Sequence, residues 1–189
     1  NWRKRKRIID SLLLIFLIFR LLFSKNSQGY GTTISDLWNN CKKINFPLSQ
    51  KKPISASAFT EARSKLDETI FKVLNERIIQ VYEEETKDLY QLQGHRIFAV
   101  DGSKINLPRT LINKGYKLPS DNANYPQGLV SCLYQLKSKT PYDFDLVNHG
   151  DERKCALSHF KALRKNDIVV YDRGYFSYAM LYYHLKLGV

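Results

Sequence analysis

The chain has 189 residues, 30 Lys+Arg against 18 Asp+Glu, and a formal net charge of +12. That length suits one domain plus a small appendage, and 43% hydrophobic with 13% aromatic residues excludes a disordered chain. Cys41, Cys132 and Cys155 stand far apart with no CxxC pair, which argues against a disulfide scaffold or a structural zinc site and suits a reducing compartment.

The charge is uneven. Residues 1–30 carry seven basic and one acidic residue, residues 31–94 nine of each, and residues 95–189 fourteen and eight. The positive excess on both flanks points to an anionic partner, nucleic acid or an acidic membrane.

Arg3, Lys4, Arg5, Lys6 and Arg7 open the chain and lead into the apolar run from Ile8 to Phe23. A secretory signal would end in a small-residue cleavage site, which is lacking here. A membrane span needs about 20 apolar residues, whereas this run has 16 and is interrupted by Asp10 and Arg20. The favoured reading is a helix in the core of a small helical domain. Gln28-Gly29-Tyr30-Gly31 reads as a turn, Ser35 as the cap of a short helix to about Cys41, and 45–53 as a connector. Ser55 or Ser57 then opens one long amphipathic helix to about Tyr82, with Phe59, Ala62, Leu66, Ile70, Leu74 and Ile78 as its stripe.

After Gly94 the period changes. Arg96 to Val100 is a strand that ends at a turn, Asp101-Gly102-Ser103, and Lys104 to Gln127 is a long loop. Leu129 to Leu136 and Tyr142 to Asn148 form a hairpin, and Asp151 to Leu163 is a helix. Ile168-Val169-Val170 is a buried strand ending at Asp172, and Ser177 opens a last helix to about Leu187. Strands alternating with helices give an α/β class, here as residues 91–189, behind a helical N-terminal domain, residues 1–90.

Asp101 and Asp172 each follow an apolar strand and precede a glycine turn. If those strands are parallel neighbours, the two carboxylates stand about 4.8 Å apart at one sheet edge. They would repel, and a divalent cation removes that penalty; hard oxygen ligands select Mg²⁺ or Mn²⁺. A single Asp-Gly after a strand is ordinarily a turn residue, so only the pair carries weight. His95, His149, His159 and His184 lack metal spacing and read as structural or surface residues.

Gly94-His95-Arg96-Ile97-Phe98-Ala99-Val100-Asp101-Gly102-Ser103, followed by Leu107-Pro108, resembles the first catalytic block of the Asp-Asp-Glu (DDE) transposases of insertion sequence family four. Asp167-Ile168-Val169-Val170-Tyr171-Asp172-Arg173-Gly174-Tyr175 resembles their second block. Gly128 to Tyr134, Asp151-Glu152-Arg153-Lys154 and Ala58-Phe59 with Ala62-Arg63-Lys65-Leu66 also look like family segments. The resemblance implies a ribonuclease-H-like mixed sheet with flanking helices. It implies Asp101 and Asp172 as catalytic metal ligands for Mg²⁺, which serve DNA strand cleavage and transfer. Gly102, Ser103, Gly174 and Tyr175 support the motifs, and Arg173 is expected on phosphate or on an acidic neighbour. The implied partners are double-stranded DNA, as element ends and target, and a second copy in a synaptic homodimer. A cytoplasmic, nucleoid-associated protein that uses no membrane is the matching expectation.

The family's third carboxylate is a Glu in a downstream block of Tyr, Arg, Glu and Lys. None of the 17 residues after Asp172 is a Glu. The chain therefore reads as truncated before the third acid, with little or no transposition expected of residues 1–189 alone. Glu152, at a predicted helix start, reads as a cap rather than a substitute ligand. For DNA contact the candidates are Arg3 to Arg7 first, then Lys42, Lys43, Lys51 and Lys52, then Arg63 and Lys65 on a helix-turn-helix-like reader. A metal-dependent nuclease, a non-catalytic DNA-binding remnant and a basic membrane-associated protein are the alternatives.

Overall fold

Asp10, which breaks the first apolar run, is what starts its helix. Its carboxylate accepts from Leu13 N at 2.7 Å and caps α1 (Ser11–Leu22). The structure, a computed structural model, describes residues 9–23, 29–48, 50–86, 91–148 and 150–189. Arg3 to Arg7 and His149 lie outside the described residues. Contacts divide the chain into two units, Asn1–Glu68 and Thr69–Val189.

The described elements of the first unit are helices. α2 (Tyr30–Lys43) begins at Gly29, not at Ser35, so the expected Gly-Tyr-Gly turn is a helix start. Gly31 in the first turn weakens the helix, but Thr33, Ile34, Trp38 and Cys41 recur at helical spacing, and burying them outweighs that cost. α3 (Ala56–Ser64) is capped by Ser55, whose Oγ accepts from Ala58 N at 3.1 Å. Leu13, Leu14, Leu17, Ile34, Trp38, Ile54 and Phe59 form the core. The Trp38 indole donates to the Gln50 carbonyl at 3.2 Å, so its polar edge is satisfied.

The single long helix expected from residue 55 to 82 is two helices. Lys65 N and Leu66 N turn back to the carbonyls of Ala62 and Arg63 and end α3. α4 (Thr69–Thr86) starts in a new phase: Ile79 is buried while Ile78 is exposed. α4 belongs to the second unit, whereas the sequence boundary at 90/91 grouped it with the helices before it.

The second unit is a mixed four-stranded sheet of order β3-β2-β1-β4. β1 (Ile97–Asn106) runs antiparallel to β2 (Gln127–Gln135), and β2 to β3 (Thr140–Val147), as the expected hairpin. β4 (Ile168–Val170) pairs parallel with β1 from Ile97↔Ile168 to Ala99↔Val170. β1 does not turn at Asp101-Gly102-Ser103: its ladder with β2 continues to Asn106↔Gln127, which shortens the expected loop. Part of that loop is a 3-10 turn, Arg109–Lys114, ended by Gly115 at φ 88°. α5 (Glu152–Ser158) tightens into a 3-10 turn, His159–Ala162, and α6 (Tyr178–Leu187) is capped by Ser177. β4 was expected buried, yet Ile168 and Val170 are exposed, because an edge strand has one neighbour. The core gathers Ile79, Phe98, Val100, Leu133, Tyr142, Ala156, Leu163, Tyr175 and Met180. No helix among the described residues is long and apolar enough to cross a membrane, and all three cysteines are free thiols.

A buried ion cluster clamps one end of this sheet. Arg96, just before β1, donates from Nε and Nη2 to the two oxygens of Asp167, just before β4, at 2.8 and 2.5 Å. Its Nη1 reaches Glu83 of α4 at 2.7 Å, and its guanidinium lies 5.0 Å from the Phe98 ring centroid. Glu83 also accepts from Tyr142 and Arg164, at 2.9 and 2.6 Å. The Arg96 and Asp167 side chains are only 10% and 4% exposed. Removing Asp167 takes two of the three charged hydrogen bonds from the buried guanidinium and leaves it only Glu83, so Asp167→Ala is expected to cost about 3 kcal/mol of stability, read by urea unfolding.

Candidate active site

The register of the two parallel strands decides where the two aspartates go. Arg96 and Asp167 are 71 residues apart, and the paired residues of β1 and β4 keep that offset. Asp101 and Asp172 share it as well. Both lie two residues beyond the last parallel pair, Ala99↔Val170, at the carboxyl end of β4. In α/β sheets, ligands bind beyond the carboxyl ends of such strands.

Each carboxylate is steered by backbone. Asp101 Oδ1 accepts from Gly102 N at 2.8 Å, and Asp172 Oδ1 from Gly174 N at 2.6 Å. Asp172 thereby caps a 3-10 turn, Arg173–Tyr175. A Cβ at Gly174 would stand 2.9 Å from Asp172 Oδ1, which explains the glycine in Asp-Arg-Gly-Tyr. Both aspartates are exposed, as are Ser103 and Arg173, while Tyr175 is buried at 2% exposure. Beside β4, a cavity of about 660 Å³ is lined by Ile168, Tyr171, Phe176, Met180 and Leu181, with Asp172 and Arg173 also on its wall.

α5 closes on this corner. Its cap is Asp151, whose Oδ1 accepts from Lys154 N at 3.0 Å, so Glu152 is the first helical residue and not the cap. A Cβ on Gly102 would lie 3.1 Å from Glu152 Cγ, and Arg153 Nε donates to the Gly174 carbonyl at 2.9 Å. The start of α5 thus touches the residues that follow both aspartates.

Residues 92–189 match the family model described as the transposase DDE domain. The chain belongs to the DDE transposase family. No curated protein and no solved structure matches it. The family acts on DNA through transposase and nuclease chemistry and generally uses divalent metal ions.

The transposase domain holds a second polar cluster that sequence reasoning missed. Asp143, Asp145 and His159 place possible ligand atoms within 4.8 Å of one another. Their partners are already in place, however. The Asp143 carboxylate can only accept, so the Nδ1 of His159 carries the proton at 2.9 Å. His159 Nε2 meets Ser131 Oγ at 3.0 Å, Lys161 lies 3.3 Å from Asp143, and Asp145 pairs with Lys72 and Ser158. Ser131 and His159 are fully buried, so this serine–histidine–aspartate chain offers no substrate access and ties β2, β3 and α5 together. Asp143 and Asp145 alternate along β3, a signal legible in the sequence. Their joining to His159 is tertiary.

Of the expected DNA-contact residues, Arg63 and Lys65 lie in the first unit. Arg63 reaches the Tyr30 hydroxyl at 3.2 Å and lies 5.8 Å from the Phe59 ring centroid, while Lys65 pairs with Glu61 at 2.5 Å.

Burial would raise the pKa of Glu83, but hydrogen bonds from Arg164, Tyr142 and Arg96 outweigh it and hold the group below the usual carboxylate range. Burial is outweighed likewise at Asp143 by His159 and Lys161, and at Asp145 by Lys72 and Ser158. Unfolded carboxylates titrate near pH 4, so this stability is fully present above that pH and lost as pH falls through the lower folded values. Thermal melts from pH 7 down to pH 3 should show it, with a shallower loss in Asp145→Asn.

Proposed function

We propose that this chain is part of an insertion-sequence transposase of family four that uses Asp101 and Asp172 as metal ligands for DNA strand cleavage and transfer. The observation that supports this reading is the parallel register of β1 and β4, whose last pair, Ala99↔Val170, lies two residues before each aspartate. The donor set suits Mg²⁺, or Mn²⁺: two exposed carboxylates, each with one oxygen fixed by a backbone N–H. When bound, such ions supply Lewis acidity for in-line attack at phosphorus by water and then by a 3′-hydroxyl. The chain's own residues do the positioning. Gly102 N and Gly174 N orient the two carboxylates, and exposed Arg173, next to Asp172, receives a phosphate. Ser103 lies two residues beyond Asp101 on β1.

Arg3, Lys4, Arg5, Lys6 and Arg7 supply salt-sensitive phosphate contacts, with Arg63 and Lys65 as the further candidates on the helical unit. Element ends and target are the double-stranded partners, and a homodimer would hold two ends together in the cell's nucleoid.

Cation binding and nicking, measured side by side, test the site. Asp101→Asn and Asp172→Asn should each weaken Mn²⁺ binding by about tenfold or more, and any Mg²⁺-dependent nicking should vanish with either. Nicking that survives either change overturns the assignment. Replacing all five residues from Arg3 to Arg7 with Gln should make the logarithmic salt dependence of DNA binding shallower by about 4 units.

A further inference from the structure

We propose that the cleft between Lys104 and Lys117 binds a phosphodiester of the DNA backbone. The proposal rests on the transposase reading above and adds a contact surface in the second unit, where that reading places only Arg173.

Charge singles out the segment. Between Asp101 and Asp121 the chain carries Lys104, Arg109, Lys114 and Lys117 and no acid. All four are exposed. Lys72, Arg96, Lys161 and Arg164 of the same unit are paired with carboxylates, whereas these four form no salt bridge among the described residues. Uncompensated basic side chains gathered on one stretch leave a local positive potential that attracts a polyanion.

The fold brings two of these lysines to one cavity. Lys104 lies on β1 opposite Leu129 of β2. Lys117 bridges to Gln127, at the start of β2, and its carbonyl accepts from Gln127 N at 2.9 Å. Leu107 N donates to the Pro126 carbonyl at 2.8 Å and Leu107 is buried, so the connection between β1 and β2 is closed at its base. The cavity holds about 420 Å³, and Lys104, Lys117, Gln127 and Asn148 are the polar side chains that line it. Two glycines make room for two of them. A Cβ on Gly150 would lie 4.0 Å from Lys104 Cε, so the lysine stem passes over bare backbone. A Cβ on Gly115, at φ 88°, would stand 2.8 Å from Asn148 Nδ2, so a glycine there leaves that amide its place.

An ammonium group offers N–H donors and no acceptor, and an amide adds both. A lining with two ammonium groups, two amides and, among the described residues, no carboxylate suits a phosphate, whose oxygens accept. Position favours a phosphodiester over a free anion. Lys104 is three residues beyond Asp101 on β1, about 10 Å at the rise of a strand. Successive nucleotides of one DNA strand rise by about 3.4 Å, so a duplex with its cleaved phosphate at Asp101 has further backbone phosphates at that reach. Arg109 and Lys114, on the 3-10 turn of the same connection, extend the basic surface.

Fluorescence anisotropy of residues 1–189 with a labelled DNA duplex, titrated with salt in the presence of chelator, tests the cleft. Lys104→Gln with Lys117→Gln should make the logarithmic salt dependence of binding shallower by about 2 units. Lys104→Arg with Lys117→Arg should restore the wild-type slope. Lys137→Gln with Lys139→Gln removes the same charge from the β2–β3 turn, at the other end of the sheet, and should leave the slope near that of wild type. Equal losses in the two glutamine pairs, or a wild-type slope in the cleft pair, overturn the site. Inorganic phosphate separates the two sources of the ligand. A thermal stabilisation by phosphate that the cleft pair loses, with duplex binding unchanged, assigns the cleft to a free anion and overturns the proposal. Calorimetry with Mn²⁺ keeps this proposal apart from the metal-site reading. The cleft pair should bind Mn²⁺ as wild type does. A shallower slope in the cleft pair, with Mn²⁺ binding unchanged in Asp101→Asn and Asp172→Asn, supports the cleft and overturns the metal site. A wild-type chain that binds no duplex overturns both.

Discussion

The fork of Arg96 on Asp167 is the constraint on which the sheet depends. Two hydrogen bonds between planar groups leave little freedom along the strand direction, and here they sit where β1 and β4 both begin. A parallel pair of only three residue pairs has little register information of its own. The ion pair supplies it from the side. Glu83 adds α4 to the clamp, and Tyr142 adds β3, so a single buried guanidinium connects four parts of the domain. Such a cluster contributes modestly to net stability, because desolvation offsets attraction; its larger effect is to make misaligned arrangements costly.

That clamp lies at one end of the strands and the acids at the other. Arg96 and Asp167 share the offset of Asp101 and Asp172, so the register held at the first pair is the one the second pair continues in sequence. Between them runs the apolar stretch of β1, with Phe98 and Val100 buried. The domain thus separates its two charged sites by function. At the closed end, carboxylates are matched by arginines. At the open end, carboxylates are exposed and oriented by backbone N–H groups, with no lysine or arginine salt bridge among the described residues. The Asp143–His159–Ser131 chain belongs to the closed kind: it fastens strands together through buried groups.

Much of the second unit was legible in the sequence. The hairpin of β2 and β3, the short β4 and the Ser177 cap followed from alternation and cap chemistry, which are local. The first helix was legible too, although Asp10 read as an interruption when it is the cap. The misjudged features depended on partners. Gly102 looked like a turn because glycine ends strands locally, yet β2 pairs through it and α5 packs over it. The long helix over residues 55 to 82 looked continuous because its apolar spacing survives the break at Lys65, but the backbone there turns back on itself and changes the phase. Ile168 and Val170 looked buried because an apolar run cannot say whether a strand has one neighbour or two.

The sequence by itself determined the alternation of strands and helices, the two blocks around Asp101 and Asp172, and the family to which those blocks point. These are properties of adjacent residues, whose side chains and turns act on one another directly. Only the tertiary structure decided that β1 and β4 are parallel neighbours, that Asp143 serves a buried histidine, and that Glu152 stands over Gly102 instead of capping its helix. Each of these joins residues far apart in the chain, and their meeting is set by strand register and by the packing of α5, which no local pattern encodes.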